Sequence, residues 1–352
     1  MHVVINGSEI GRRRGGNETY MRGLLQGLAG LPDRPRVTAL LCEWGSPAPV
    51  PSAINRWDLG TYRLLPFWLW QQARVLRQLQ ADWYVSNYYL PPFLPCRGAL
   101  VVHDVSFRVL PEFYPVHIAG YMRYLVGWSV RRADVVITVS EFSRQELMRC
   151  YDLPAEKIAV VPNGIADRFR PVVEEAAVKR DRETVGAYGV SPPYIFALGN
   201  IHPRKNLSRL LQAYIQVGEV MPERPDMVWG GLERWDAHEL VERARQAGVV
   251  MTGFVASEDL PAFYRQAEML VYPSLYEGFG LPPVEAMACG TPVVTSNTTA
   301  LPEAVGDAAV KVDPTSVDAL ADAMQRLLLD EDLHRTLIAK GLDHVQPLTW
   351  RA

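Results

Sequence analysis

No Cys-x-x-Cys occurs in this chain, and its four cysteines (Cys42, Cys96, Cys150, Cys289) stand at no metal-ligand spacing. A structural zinc site and a dithiol redox pair are thereby set aside. Cys42 and Cys289 lie in or beside apolar runs and read as core thiols, which fits a reducing, cytoplasmic home. No apolar run is long enough to span a membrane. The opening Met1-His2-Val3-Val4-Ile5-Asn6 is a short strand without the long apolar region of a signal peptide. An excess of positive charge is also missing: 36 Lys and Arg against 39 Asp and Glu give −3, which argues against bulk nucleic-acid binding. The glycines of Gly11–Tyr20 do not spell G-x-G-x-x-G, so a nicotinamide cofactor is not expected. Internal repeats and low-complexity runs are absent too.

What remains is ordinary globular composition, 48% hydrophobic and 21% charged over 352 residues, enough for two domains of a soluble enzyme. Short apolar runs alternate with amphipathic stretches. The strands read as Val3–Asn6, Val37–Cys42, Trp83–Asn87, Ala99–His103, Val135–Ser140, Ile158–Pro162, Tyr194–Gly199, Met227–Gly230, Val249–Thr252, Met269–Pro273, Pro292–Thr295 and Ala309–Val312. Glu18–Ala29, Glu141–Cys150, Leu207–Val220 and Val317–Leu329 read as helices, with Ser140 as an N-cap. This alternation predicts an α/β chain of parallel sheets built from βαβ units. A charged stretch flanked by Pro171 and Pro192-Pro193 reads as a linker. The domains are then 1–170 and 192–345, joined by 171–191, with 346–352 starting a final helix. Ligands of such sheets bind beyond the carboxyl ends of the strands.

The densest signal is Tyr276-Glu277-Gly278-Phe279-Gly280-Leu281-Pro282-Pro283-Val284-Glu285-Ala286. On one continuous helix its two glutamates would stand roughly 80° apart, a poor match for one site. The glycines instead make a loop, Pro282-Pro283 open a helix, and Glu285 falls in its first turn. Glu277 then precedes a helix N-terminus, where backbone amides favour an anion. The segment offers carboxylates for hydroxyls and amides for phosphate, and a nucleotide-sugar has both. Taken singly, each glutamate is more simply a surface residue or a complement to the helix dipole. Together, after Met269-Leu270-Val271-Tyr272-Pro273-Ser274, they resemble the Glu-x7-Glu motif of the retaining glycosyltransferases of family 4.

Other segments resemble the same family in the same order. Gly15-Gly16 is similar to its glycine loop over the diphosphate and the acceptor pocket; the adjoining Arg12-Arg13-Arg14 suit an anionic acceptor or a solvated loop. His103-Asp104 matches a His-Asp in which the histidine lies over the donor sugar, although a lone histidine is more often a satisfied core residue. Ala133–Ser143 and Val160–Ile165 are similar as well, with Asn163-Gly164 first of all a turn. Gly199-Asn200-Ile201-His202-Pro203-Arg204-Lys205-Asn206 follows the first strand of the second domain. Arg204 and Lys205 there suit a diphosphate, one as a fork and one as a point charge. The family usually has an acidic residue where His202 stands.

The resemblance implies the GT-B architecture of two facing Rossmann-like domains, and metal-independent transfer of a hexose with retention. The expected donor is a nucleotide-diphosphate sugar, with mannose from GDP-mannose favoured, and the acceptor a hydroxyl of a glycan or glycolipid. Arg204, Lys205, Glu277 and His103 are the catalytic candidates. Gly15, Gly16, Gly199, Phe254, Val255, Gly278, Phe279, Gly280, Leu281 and Glu285 would bind donor together with Glu277. Asp104 and Asn163 lie on the acceptor side. Glu285 would hold the ribose and Glu277 the sugar hydroxyls. No cofactor is expected, and the chain is read as having no Asp-x-Asp to hold a metal on the diphosphate. Tyr62–Leu79, with Phe67, Trp68 and Trp70 among Arg63, Arg74 and Arg77, has the character of a helix able to touch a lipid surface from the cytoplasmic side; packing on the first sheet is the commoner role of such a helix. A nucleotide-sugar 2-epimerase of the same architecture and a non-catalytic binding module are the alternatives. A phosphorylase would need a pyridoxal lysine and a longer chain.

Overall fold

The computed structural model describes residues 1–11, 15–43, 50–61, 70–233 and 237–351. Arg12–Arg14 and the Tyr62–Leu69 half of the amphipathic stretch lie outside the described residues. Seven strands form one sheet: β1 (His2–Asn6), β2 (Arg36–Glu43), β3 (Asn55–Thr61), β4 (Trp83–Asn87), β5 (Arg97–Val101), β6 (Val135–Thr138) and β7 (Ile158–Val160). Six form another: β8 (Tyr194–Leu198), β9 (Asp226–Gly230), β10 (Val250–Gly253), β11 (Ala267–Tyr272), β12 (Val293–Ser296) and β13 (Val310–Val312). Their orders are β3-β2-β1-β4-β5-β6-β7 and β10-β9-β8-β11-β12-β13, and every neighbouring pair is parallel. Each sheet is doubly wound. The strand order reverses between β1 and β4 in the first and between β8 and β11 in the second, and such switch points are where ligands bind.

The described helices are α1 (Gly16–Ala29), α2 (Gln72–Gln78), α3 (Ser106–Val109), α4 (Val116–Arg132), α5 (Glu141–Tyr151), α6 (Glu175–Gly186), α7 (Leu207–Val220), α8 (His238–Gln246), α9 (Leu260–Gln266), α10 (Leu281–Ala288), α11 (Leu301–Val305), α12 (Val317–Leu329) and α13 (Glu331–Val345). The second sheet shows why its strands are apolar throughout. Ile195 and Ala197 of β8 pack with Leu207, Leu210, Leu211, Tyr214 and Val217 of α7 and with Leu320 and Met324 of α12. Tyr194 and Phe196 point the other way, to Phe263 and Tyr264 of α9. A strand covered on both faces cannot alternate with polar residues. The α7 residues recur at helical spacing, which makes one buried stripe. Leu210 is fully buried, and truncating such a leucine costs about 2–5 kcal/mol. Ser140, Ser316 and Asp330 cap α5, α12 and α13 by accepting from the Ser143, Ala319 and Leu333 amides.

The chain divides into two compact units, Met1–Gly164 with the chain end from Leu348, and Ile165–Pro347. Several expectations need correction. β3 escapes the apolar pattern: its Asn-Arg-Trp-Asp-Leu-Gly-Thr lies at a sheet edge, where strands need not be apolar. The stretch read as a linker holds α6, whose Asp181 makes a paired ion bridge to Arg265 of α9 at 2.5 and 2.7 Å. β5 ends at Val101, so His103 lies two residues past the strand. Residues 346–351 form turns and a single bridge residue, Thr349, and not the start of a helix. Trp350 instead lies on α1, so tightly that its ring leaves no room for a Cβ on Gly23.

Candidate active site

In the second unit, the loops leaving β8 and β11 flank the switch point. The β8 loop runs from Gly199 to a single 3-10 turn, Pro203–Lys205, before α7. His202 Nδ1 accepts from the Arg204 amide at 3.2 Å, and left-handed Asn206 ends the turn. Asn206 also donates to the carbonyls of Pro273 and Pro314, at 3.1 and 2.6 Å, pinning the turn to the loops that follow β11 and β13. Arg204 and Lys205 therefore face the loop that carries Glu277.

Glu277 takes both cations. Arg204 Nη1 reaches its Oε2 at 2.8 Å and the Tyr276 carbonyl at 2.5 Å. Lys205 Nζ reaches its Oε1 at 2.6 Å, and the Tyr272 hydroxyl donates to the same oxygen at 3.0 Å. Lys205 also bonds the Tyr272 hydroxyl and lies over its ring, 4.6 Å from the centroid. Glu277 is 8% exposed. Burial alone would raise its carboxyl, but the charges of Arg204 and Lys205 outweigh that and hold it at about 2. It is a carboxylate at any working pH and has no proton to give. Burial, with the Glu277 charge next to it, pushes the Tyr272 phenol well above its ordinary value.

Glu285 sits in a different environment. α10 begins at Leu281, with Pro282 and Pro283 in its first turn, so Glu285 falls in the second turn and not in the first as expected. Pro282 and Pro283 carry no N–H, so the first turn of α10 has two fewer amides to satisfy. Gly280 has φ 114°, and a Cβ there would meet Leu301 Cδ2 at 2.7 Å, so only glycine makes this entry. Glu285 is 6% exposed, and the Tyr264 hydroxyl donates to its Oε2 at 3.0 Å. Burial raises its carboxyl to about 7, against smaller lowering from that hydrogen bond and from the Arg168 charge. One glutamate of the pair is thus pinned ionised and the other titrates near neutrality. Divergent acidities of this kind make the two carboxylates candidates for function, as structural ion pairs alone also shift acidities.

Phe254 and Val255 follow β10, where Gly253 at φ 68° turns the chain; Phe254 is partly exposed and Val255 buried. Gly199 has φ 141° and lies under the Lys205 side chain, 3.1 Å from Cε to where a Cβ would stand.

The first unit brings its own candidates to the carboxyl ends of its strands. Gly15, at φ 78°, caps α1, and Gly16 is its first residue; a Cβ at either would meet open space. Glu18 closes the loop by accepting from the Gly11 amide at 2.9 Å. His103 packs edge-on to Tyr20 at 4.6 Å and Tyr88 at 5.9 Å. Its buried Nε2 has no hydrogen-bond partner, and burial lowers the imidazole to about 4, with Asp104 opposing weakly. This ring is neutral and carries an unanswered polar atom, unlike a satisfied core histidine. Asp104 accepts from the Ser106 amide and hydroxyl at 2.9 and 2.6 Å, so its first role is to start α3. Asn163 is buried with an unpartnered Oδ1.

Three residues escaped sequence reasoning. Tyr272 closes an apolar run, and its strand-end hydroxyl was the available signal. Thr299, left-handed at φ 61°, accepts from the Glu277 amide at 3.3 Å; a β-branched residue in that conformation is an outlier that no local pattern announces. Asn87, at the end of β4, has both amide atoms sealed and unpartnered. Among the described residues no group of three His, Cys, Asp or Glu could hold a metal. The chain does contain one Asp-x-Asp, Asp330-Glu331-Asp332, away from these loops. Asp330 caps α13 at the Leu333 amide (2.9 Å) and exposed Asp332 pairs with Arg335 (2.5 Å). No helix among the described residues is long and apolar enough to cross a membrane.

Comparison with known proteins agrees with this geometry. Residues 14–169 match the model described as Glycosyltransferase Family 4, and residues 182–344 that described as Glycosyl transferases group 1. The chain is 36% identical over 286 residues to the O-antigen chain mannosyltransferase B of Escherichia coli, covering 80% of this chain and 74% of the relative. It is 30% identical over 254 residues to the GDP-mannose-dependent alpha-(1-6)-phosphatidylinositol monomannoside mannosyltransferase of Mycobacterium tuberculosis, covering 67% and 64%. Among solved structures, a sucrose-phosphate synthase from Thermosynechococcus elongatus superposes with a TM-score of 0.79 at 22% identity, over 99% of this chain and 95% of that one. With two doubly wound sheets, a cation pair and a paired acid at the second switch point, and both family models in register, the chain belongs to the family 4, group 1 glycosyltransferases of GT-B fold.

Proposed function

We propose that this glycosyltransferase moves mannose from GDP-mannose, with retention and without a divalent metal, to a hydroxyl of a glycan or lipid-linked glycan. One observation carries the reading: Arg204 and Lys205 stand side by side beyond the carboxyl end of β8, beside a carboxylate that their charges hold well below the usual range. Their two charges suit the diphosphate as its bond to the sugar breaks. Charge-stabilising donors of this kind replace a metal where they are held in place beforehand. The names of the two relatives favour a mannosyl donor and, in one, GDP-mannose.

In this reading Arg204 and Lys205 hold the diphosphate, and loop amides up to Leu281 add dipoles. Glu285 holds the ribose. Glu277, ionised throughout, faces the sugar where positive charge grows and donates no proton. His103, neutral and unpartnered, offers Nε2 to a sugar hydroxyl. The acceptor attacks on the face the diphosphate leaves, and a donor phosphate oxygen takes its proton, so no side-chain nucleophile is assigned. Gly15 and Gly16 allow close backbone approach; Asp104 and Asn163 belong to the acceptor side. Thermal shift with GDP-, UDP-, ADP- and dTDP-sugars tests the donor. GDP-mannose should raise the melting point most, by mass action. A shift with UDP-sugars alone would overturn the base assignment. Donor turnover with any acceptor eliminates a non-catalytic binding module, and loss of mannose configuration at C2 would instead mark an epimerase.

Peripheral contact with a lipid surface belongs to the same reading. Trp70 is 65% exposed and stacks on exposed Phe93 at 5.3 Å. Tyr121 and Tyr124 stand out from α4, where Arg132 lies over Trp128 at 4.6 Å. Aromatic rings beside arginines suit an anionic membrane interface. Co-sedimentation with anionic vesicles should drop for Trp70→Ala with Tyr124→Ala; unchanged binding would reject this surface.

A further inference from the structure

Glu277 sits between two cations, where an anion belongs. Its two oxygens are divided between the cations, Oε2 on Arg204 at 2.8 Å and Oε1 on Lys205 at 2.6 Å. The side chains of Arg204 and Lys205 are 18% and 14% exposed, and that of Glu277 is 10% exposed. A carboxylate bridging two neighbouring cations has the shape and charge of a phosphate oxygen pair. A diphosphate bound by those same cations cannot share them with the carboxylate at full strength, because two anions would then meet in a water-poor site.

We propose that Glu277 is an internal stand-in for the donor diphosphate: the arriving phosphates take Arg204 and Lys205 from it, and the released carboxylate becomes available to the sugar. This rests on the proposed function and adds a coupling to it. The residue said to meet the sugar is withheld until phosphate is in place. The scaffold suits such an exchange. Tyr272 keeps a hydroxyl and a ring face on Lys205. The Tyr276 carbonyl keeps Arg204. Both cations therefore hold position when the carboxylate leaves. The Glu277 backbone stays tied through its amide to Thr299 Oγ1 at 3.3 Å, so only the side chain need move. Glu277 also balances two cations under cover, which would be costly to leave uncompensated.

The stand-in has a directional consequence. Removing an acidic group normally does little for anion binding when it is remote; here it removes a competitor. Glu277→Gln should bind GDP and inorganic pyrophosphate more tightly than the wild type, by about 10-fold, the effect of taking away one competing charge. It should at the same time turn over more slowly, because the sugar loses its carboxylate. Calorimetry of GDP and of pyrophosphate on both proteins reads this. Glu277→Asp is the second variant: it keeps the charge but is too short to bridge both cations, and should also bind pyrophosphate more tightly. Circular dichroism checks that each variant is folded. GDP bound by wild type but equally or less tightly by both variants overturns the stand-in and leaves the proposed function in place. GDP and pyrophosphate bound by neither wild type nor variants overturns the phosphate site itself.

Discussion

Glu285 makes the pH behaviour of this site predictable. Its carboxyl stands at about 7 in the fold, against an ordinary 4.5, because it is buried with the Tyr264 hydroxyl as hydrogen-bond donor. A carboxyl raised by folding contributes stability that is fully present below the unfolded value and lost as pH rises through the folded one. The difference corresponds to roughly 3 kcal/mol, lost between about pH 4.5 and 7. A ribose diol that donates to this carboxylate favours the ionised form. Donor binding should therefore strengthen as pH rises towards 7, approaching 10-fold per unit at its steepest, then level off. GDP-mannose is the right probe because its doubly esterified diphosphate keeps its charge over this range. Calorimetry at pH 6.5 in buffers of different ionisation enthalpy should show release of about three quarters of a proton on binding. Glu285→Gln should bind more weakly at pH 8, show no proton release, and equal or exceed the wild type in stability at pH 8. The same proton release in Glu285→Gln as in the wild type would exclude Glu285 as the titrating group, as would a flat pH profile.

Three further outcomes follow from the same geometry. Arg204→Ala and Lys205→Ala should each lower kcat by ~100-fold or more while circular dichroism stays native; steady-state rates within a few-fold of wild type would remove the phosphate assignment. Excess EDTA should leave turnover unchanged, whereas abolition by EDTA with rescue by magnesium or manganese would count against a charge site made of Arg204 and Lys205. Gly280→Ala should destabilise the fold by roughly 1–3 kcal/mol, since φ 114° and the contact with Leu301 both exclude a Cβ, and denaturant unfolding would show it.

The parts of this account that were legible in the sequence are those written in local chemistry. Buried parallel strands such as Leu270-Val271-Tyr272 announce themselves as apolar runs, and α7 and α12 by their spacing. Gly280 and the two prolines of α10 mark a loop entering a helix. The edge strand β3 and the charged helix α6 carry no such signal, because one is half solvated and the other is held by the Asp181–Arg265 bridge, 84 residues apart. The site divides in the same way. Arg204, Lys205, Glu277 and Glu285 stand out by motif. Their opposite acidities do not, because these depend on partners distant in sequence: Glu277 lies 72 residues from Lys205. Tyr272, Thr299 and Asn87 became visible only through what surrounds them. Trp350 reads as the start of a helix because nothing local reveals the glycine face of α1 that receives it.

The central claim is transfer of mannose from GDP-mannose with retained configuration. Its most direct test is carbon-13 NMR of the reaction with GDP-mannose labelled at C1 and a mannose-terminated oligosaccharide as acceptor. The donor's α-anomeric signal should be replaced by that of a new α-mannoside, with GDP released in equal amount. A β-mannoside would contradict the retaining mechanism. GDP-mannose left intact while a UDP-sugar is consumed would contradict the donor.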